Sequence, residues 1–322
     1  MVTLRQLRYL AALARHRHFG RAADECAVSQ PALSVQIQEL EAALGTTLVE
    51  RARGRVELTP AGREVARRAG VILAEVGDLV DYARHRLRLL SGPLRLGVIP
   101  SIAPYLLPAA LPRLQEVHPA LELQLRESQT AVILDELQRG ALDVLLLSLP
   151  LDRPDLETLR LFEDRFLLAV PARHPHVTHP DATARLLAEE RLLLLEPGHC
   201  LRDQTLSYCR HVGPARSRGF GASSIATIVQ MVANGLGIAV LPEISVGFEV
   251  HDPRIALLRF PTPEPTRTVA LAWRRSSARS RDFRELGRLL ARSRPGSQEV
   301  PAVTVSRGST GSGRIPPQTS PA

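Results

Sequence analysis

Lysine is absent from all 322 residues, so each of the 41 basic side chains is arginine. That absence excludes a lysine Schiff base and a phosphate loop built on lysine. Cysteine is scarce as well. Three cysteines, an odd count, argue against a secreted disulfide scaffold and for a reducing cytoplasm, where a disulfide is catalytic or sensory. No apolar run approaches the roughly 18 residues of a membrane span, and no signal peptide precedes the first polar helix. A cytoplasmic chain without a membrane partner is expected. What remains is length for several modules and a net charge of +8. The bidentate arginine fork suits phosphates and base edges.

The chain divides into four parts: 1–59, short helices and a basic hairpin; 60–90, one long helix; 91–292, alternating strands and helices; 293–322, a tail. Half of residues 295–322 are Pro, Gly or Ser and none is aromatic. Such a segment buries too little apolar area to offset its ordering entropy, so a disordered tail is expected.

Thr3 caps a first helix carrying Leu4, Leu7, Leu10, Ala11 and Ala14 at helical spacing. A second helix covers Arg21–Cys26, with Cys26 as core filler. Ser29 caps a third that starts Gln30-Pro31 and stops at Gly45. Two short helices and a tight turn suit a helix-turn-helix whose second helix enters the major groove. Ser29, Gln30, Pro31, Ser34, Gln36 and Gln38 are its candidate DNA contacts. Arg51, Arg53 and Arg55 make the following hairpin a basic wing. The competing reading is a small helical bundle with a solvated basic face.

Thr59-Pro60 opens the long helix. Its apolar seam, Val65, Ala69, Ile72, Val76, Leu79, Ala83, Leu87 and Leu90, has coiled-coil spacing and implies a second subunit. Beyond it, strands are expected at Leu94–Ile99, Leu121–Arg126, Asp143–Leu149, Phe166–Pro171, Leu192–Leu195, Ile238–Leu241 and Val269–Trp273. Helical patterns between them predict an α/β fold with mainly parallel sheets. Ligands in such folds sit beyond strand carboxyl ends. Ser101, Thr130 and the run Gly198-His199-Cys200 follow three of these strands and are expected to converge on one cleft. His174, His176 and His179 lie among prolines, which favours a solvated loop over a metal site. No metal and no cofactor are implied.

Cys200 and Cys209 stand nine residues apart. On an intact helix nine steps separate their Cα atoms by about 13 Å, whereas a disulfide needs less than about 7 Å. Bridging the two would require local unfolding. The segment is either a chemical switch or a pair of inert packed thiols.

The run Arg21-Ala22-Ala23, then Val28-Ser29-Gln30-Pro31-Ala32-Leu33-Ser34 and Leu58-Thr59-Pro60-Ala61-Gly62, resembles the LysR-type transcriptional regulators. The resemblance implies a winged helix-turn-helix, a long linker helix and a two-lobed regulatory domain of periplasmic-binding-protein type. Gly198-His199-Cys200-Leu201-Arg202-Asp203-Gln204 with Cys209, Ser91-Gly92-Pro93-Leu94, Pro104-Tyr105-Leu106-Leu107-Pro108 and His16-Arg17-His18-Phe19 resemble the hydrogen-peroxide-sensing branch of that family.

For this sequence the likeness implies Cys200 as peroxidatic residue and Cys209 as resolving residue, forming a reversible disulfide through a sulfenic acid. It implies a peroxide site of Ser101 (threonine in most of the branch), Thr130, His199, Arg202, Asp203 and Arg274. Peroxide is attacked by thiolate, so a depressed Cys200 pKa is expected, with a helix N-terminus, Arg202 and His199 favouring the anion. The implied partners are double-stranded DNA, a homodimer or homotetramer and RNA polymerase, with peroxide as signal in the control of oxidative-stress genes. The alternatives are a LysR-type regulator of a small metabolite and a thiol peroxidase. The N-terminal module would be superfluous to an enzyme.

Overall fold

The computed structural model describes all residues except 53–54, 85–88, 176, 178–181, 213–220 and 295–322. The expected tail, Arg53, His176, His179 and Leu87 therefore lie outside the described residues.

Helix α1 (Leu4–His16) starts with a capping box in which Thr3 and Gln6 satisfy each other's backbone amides. Helix α2 (Phe19–Glu25) is capped by His18, two residues before the expected start. Helix α3 (Gln30–Leu44) runs from the Ser29 cap to Gly45, whose φ of 64° is the left-handed stop. Leu10, Leu13, Leu33, Ile37, Leu40 and Cys26 close a small core. Strands β1 (Val49–Ala52) and β2 (Arg55–Leu58) pair antiparallel as the wing. The Glu41 carboxylate holds it in place by accepting from the Leu48 and Val49 amides at 2.7 and 3.0 Å.

Helix α4 is described over Pro60–Arg84, and Leu89 and Leu90 form a turn, so the helix does not reach the expected boundary at 90. Leu90, assigned to its seam, instead enters the regulatory core. Of the other seam residues, Ala69 is buried, while Ile72 and Leu79 are exposed, Leu79 at 67 %. The opposite face docks on the chain's own regulatory domain. There Gly140 (φ 70°) leaves no room for a Cβ against Ala74, and Asp78 is buried.

The regulatory domain begins with β3 (Gly92–Val98), α5 (Ala103–Val117), β4 (Leu121–Glu127), α6 (Thr130–Gln138) and β5 (Val144–Leu149). The 16-residue β6 (Leu156–Pro171) then crosses into a second lobe. That lobe contains α7 (Ala182–Glu189), β7 (Leu194–Leu195), α8 (Cys200–Val212), β8 (Gly221–Ala222), α9 (Ile225–Ala233), β9 (Ala239–Pro242), α10 (Glu243–Glu249) and β10 (Ile255–Arg259). Strand β11 (Thr266–Arg274) returns to the first lobe, and α11 (Ser280–Arg292) covers it.

The main sheet has the order β10-β6-β11-β5-β3-β4, with β9 also on β6. Strands β3, β4 and β5 are parallel, but every pairing of β6 and β11 is antiparallel. This corrects the expectation of mainly parallel sheets. The two crossing strands must run in opposite directions for the chain to leave the first lobe and return. The first half of β6 escaped sequence reading because charges interrupt its apolar residues, Leu156, Leu159 and Leu161. Among the described residues no helix is long and apolar enough to cross a membrane.

Candidate peroxide site and nucleic-acid interface

Three loops meet where the lobes face each other. The turn after β3 supplies Ile99, Pro100 and Ser101, the N-terminus of α6 supplies Gln129 and Thr130, and α8 opens with His199 and Cys200. Together they line a pocket of about 10 Å³, roughly the space of one water-sized molecule. Gly198 makes the approach possible. Its φ is 97°, and a Cβ there would lie 2.3 Å from Gln129 Oε1.

The Cys200 thiol is half-buried, and Cys209, one helix span away, is 1 % exposed in the hydrophobic core. Both are free, and intact α8 keeps their Cα atoms about 13 Å apart. Burial pushes the Cys200 thiol up, contrary to the expected depression. Opposing burial are the Arg267 charge, the Thr130 and Ser101 hydroxyls and the Leu201 amide at the helix start. Burial alone raises Cys209 to about 11. Thr130 Oγ1 is buried with no well-formed hydrogen bond, leaving the hydroxyl available to a polar guest.

Arg267 was not singled out from the sequence. It is fully buried, donates to Ser101 Oγ at 2.8 Å and Ser101 O at 2.9 Å, and pairs with Asp164 at 2.9 Å. Because Ser101 Oγ accepts from the guanidinium, its own proton is left to point elsewhere. Arg274, the arginine expected at the site, lies at the far end of β11. It bonds Asp78 of α4 at 2.9 Å and the Leu137 and Leu142 carbonyls at 2.7 and 3.0 Å. Seven residues of strand separate the two arginines by about 24 Å. The antiparallel register brings only the N-terminal end of β11 to the carboxyl ends of β3 and β5.

His199 is buried and lines the pocket. The Arg202 guanidinium instead donates to the Leu195 carbonyl at 2.7 Å, and Asp203 is exposed in the first turn of α8. Neither lines the pocket, which corrects their assignment to it. Arg202 follows Cys200 by two residues of helix and so points about 200° around the axis from it. Asp203, three residues on, returns to within about 60° of Cys200 but is exposed to solvent rather than lining the pocket.

On α3, Gln30, Pro31 and Gln38 are exposed and Ser34 is half-buried. At about 100° per residue these four share one outer face. Ser29 is committed to the cap, accepting from the Ala32 amide at 3.4 Å. Gln36 lies about 160° around the helix from Gln38 and donates to Glu39 at 2.7 Å, so it leaves the groove-facing set. Exposed Val35 joins that face. Arg51 and Arg55 occupy the two wing strands. His174 sits 3.2 Å from Glu190, and among the described residues no cluster of three or more His, Cys, Asp or Glu is placed to hold a metal.

Residues 4–63 match the bacterial regulatory helix-turn-helix of the lysR family, and residues 87–294 match the LysR substrate-binding domain. The chain belongs to the LysR family. Among its LysR relatives, a probable hydrogen peroxide-inducible genes activator of Streptomyces viridosporus is 44 % identical over 290 residues, 89 % of this chain and 93 % of that protein. A full-length OxyR variant from Pseudomonas aeruginosa superposes with a TM-score of 0.75 at 37 % identity, covering 92 % of this chain and 96 % of its own. An H2O2-bound cysteine-to-serine OxyR variant of Corynebacterium glutamicum superposes with a TM-score of 0.62 at 34 % identity, covering 90 % and 94 %. This LysR chain therefore resembles OxyR throughout both of its modules.

Proposed function

We propose that the protein is a DNA-binding transcriptional regulator that senses hydrogen peroxide through Cys200 and Cys209 and controls oxidative-stress genes. The observation that carries this reading is the Cys200 pocket. It joins a thiol, a buried threonine hydroxyl and a guanidinium-held serine around space for a water-sized molecule. A metabolite-responsive LysR site would need several times that volume.

Peroxide accepts from Ser101 and His199 and donates to Thr130. The Cys200 sulfur, as thiolate, attacks one peroxide oxygen. The O–O bond breaks, Cys200 becomes a sulfenic acid, and the departing hydroxide takes a proton to become water. Arg267 favours the thiolate and the developing charge on the leaving oxygen. Cys209 sulfur then attacks the Cys200 sulfur, the S–O bond breaks, and a second water leaves as the disulfide forms. That step requires α8 to open. The new shape passes to α4 and the recognition helices, which lie on duplex DNA with Gln30, Ser34 and Gln38 toward base edges and Arg51, Arg53 and Arg55 toward phosphates. The exposed α4 seam joins two or four copies, RNA polymerase is the downstream partner, and the protein acts in the cytoplasm as a regulator rather than an enzyme.

The test is a disulfide map of protein treated with equimolar peroxide, with DNA footprints before and after. The expected result is a Cys200–Cys209 bond and a changed footprint, both reversed by thiol reductant. Two reduced cysteines in protein whose footprint nonetheless changes would overturn the thiol switch.

A further inference from the structure

Arg267 and Asp164 are direct cross-strand partners on β11 and β6, the two strands that pass between the lobes. Both side chains are buried, at 0 % and 1 % exposure. The guanidinium spends Nε on Asp164 Oδ2 and both terminal nitrogens on Ser101. The second carboxylate oxygen, Oδ1, accepts from the Ile244 amide in the first turn of α10 at 3.0 Å. The pair therefore fastens the pocket loop of one lobe to a helix of the other, beside Cys200. A buried ion pair is weak support for stability, since apolar replacements of similar volume are often neutral or better. Peroxide chemistry needs no carboxylate at this point, so the charge calls for another explanation.

We propose that Asp164 is a positioning residue for the thiol reaction: it fixes Arg267 against Ser101 and sets how much guanidinium charge reaches the Cys200 sulfur. It rests on Cys200 as the reacting thiol. Asp164 and a Cys200 thiolate compete for one cation, and Asp164 already lies within ion-pair distance of it. With the carboxylate present, the resting thiol stays protonated despite an adjacent arginine, in keeping with its upward shift. Among the described residues, His199, just before α8, lines the pocket as well. Tyr105 on α5 interacts with Arg267, with Glu249 on α10, which accepts from its hydroxyl at 2.8 Å, and with Glu127 at the end of β4. Asp203 is exposed, and Arg202 is held by the Leu195 carbonyl.

The experiment measures iodoacetamide labelling of Cys200 against pH in the full chain, quantified by peptide mapping. In Asp164→Asn the guanidinium loses its counter-charge, and the midpoint is expected to fall by about one pH unit, giving about tenfold faster labelling below it. Asp164→Glu should return the midpoint toward the wild-type value. Arg267→Gln should raise it. If the unpaired arginine of Asp164→Asn prevents folding, the double variant Asp164→Asn/Arg267→Gln removes both charges and leaves none unpaired. Its midpoint should match that of Arg267→Gln alone. A midpoint in Asp164→Asn at or above wild type would overturn the proposal, as would a double variant shifted away from Arg267→Gln. Repeating the series in a His199→Gln background assigns the shift to the thiol. Labelling uses neither peroxide nor DNA, so a failed peroxide response and a failed Asp164 effect remain distinguishable.

Discussion

Oxidation of the reduced protein with one equivalent of peroxide is the perturbation that most directly probes α8. The helix keeps Cys200 and Cys209 about 13 Å apart, and disulfide geometry requires less than about 7 Å. Closing that gap unwinds the stretch between them. Leu201, 3 % exposed, gives up about 2 kcal/mol of burial. The edge contact of Tyr208 on Phe260 at 5.1 Å contributes about 1 kcal/mol. The Gln204 bond to Ser148 Oγ and the Arg202 bond to the Leu195 carbonyl add about 1 kcal/mol each. The total of about 5 kcal/mol equals roughly 100 mV for a two-electron couple. Structural disulfides have potentials below about −300 mV, so this bond should sit near about −200 mV, within reach of cellular thiols. The assays are titration in glutathione buffers and hydrogen exchange across residues 199–210, which should lose protection on oxidation and regain it on reduction. A midpoint as low as that of an unstrained structural disulfide, together with unchanged exchange, would refute the reasoning.

Cys209 gives a second, pH-dependent expectation. Burial holds its thiol at about 11 against an ordinary value of 9.0, so the unfolded chain ionises first. Stability contributed by the buried thiol is complete below pH 9 and declines as pH rises toward 11, by about 3 kcal/mol; denaturant titrations of wild type and Cys209→Ala should converge in that interval. Placing Asp at both Ile72 and Leu79 should yield monomers by sedimentation with DNA affinity reduced at least tenfold, and a wild-type oligomer would remove the α4 seam from the assembly. Ser34→Ala should narrow the difference in affinity between operator and unrelated DNA, while Arg53→Ala should weaken both and reduce the salt dependence; wild-type binding by both variants would misplace the DNA interface. Arg274→Gln should lower stability by about 3 kcal/mol through the lost Asp78 pair without altering Cys200 labelling; a labelling shift as large as that of Arg267→Gln would place Arg274 back at the pocket.

Local signals were legible wherever the physics is local. Thr3, Ser29 and Gly45 set helix ends because caps satisfy backbone groups within one turn. The spacing of Cys200 and Cys209 already contained the conflict between helix and disulfide. The run around Cys200 located the thiol, and Ser101 and Thr130 were found because loops after strands meet at a sheet's carboxyl edge. Other assignments depended on rotation about an axis or on register. Gln36 has the right chemistry for a groove, but it lies on the wrong side of α3. Leu90 continues the apolar spacing of α4 but lies in the regulatory core.

Composition, caps and spacing by themselves determined short N-terminal helices with a tight turn, one long helix, an α/β region and a two-cysteine segment that cannot close without unfolding. The resemblance to LysR-type regulators supplied the helix-turn-helix, linker and regulatory roles. Tertiary structure alone decided which groups surround the sulfur. Arg267, between Thr266 and Thr268, and Arg274, between Trp273 and Arg275, stand on one strand, and neither flanking sequence tells which of them faces the sulfur. The antiparallel pairing of β11 with β5 and β6 sends one to Ser101 and the other to Asp78. The same packing reversed the expected thiol shift, because burial in a closed cleft outweighs an arginine whose charge Asp164 already shares. Desolvation and charge pairing depend on neighbours distant in sequence, and only the folded chain brings them together.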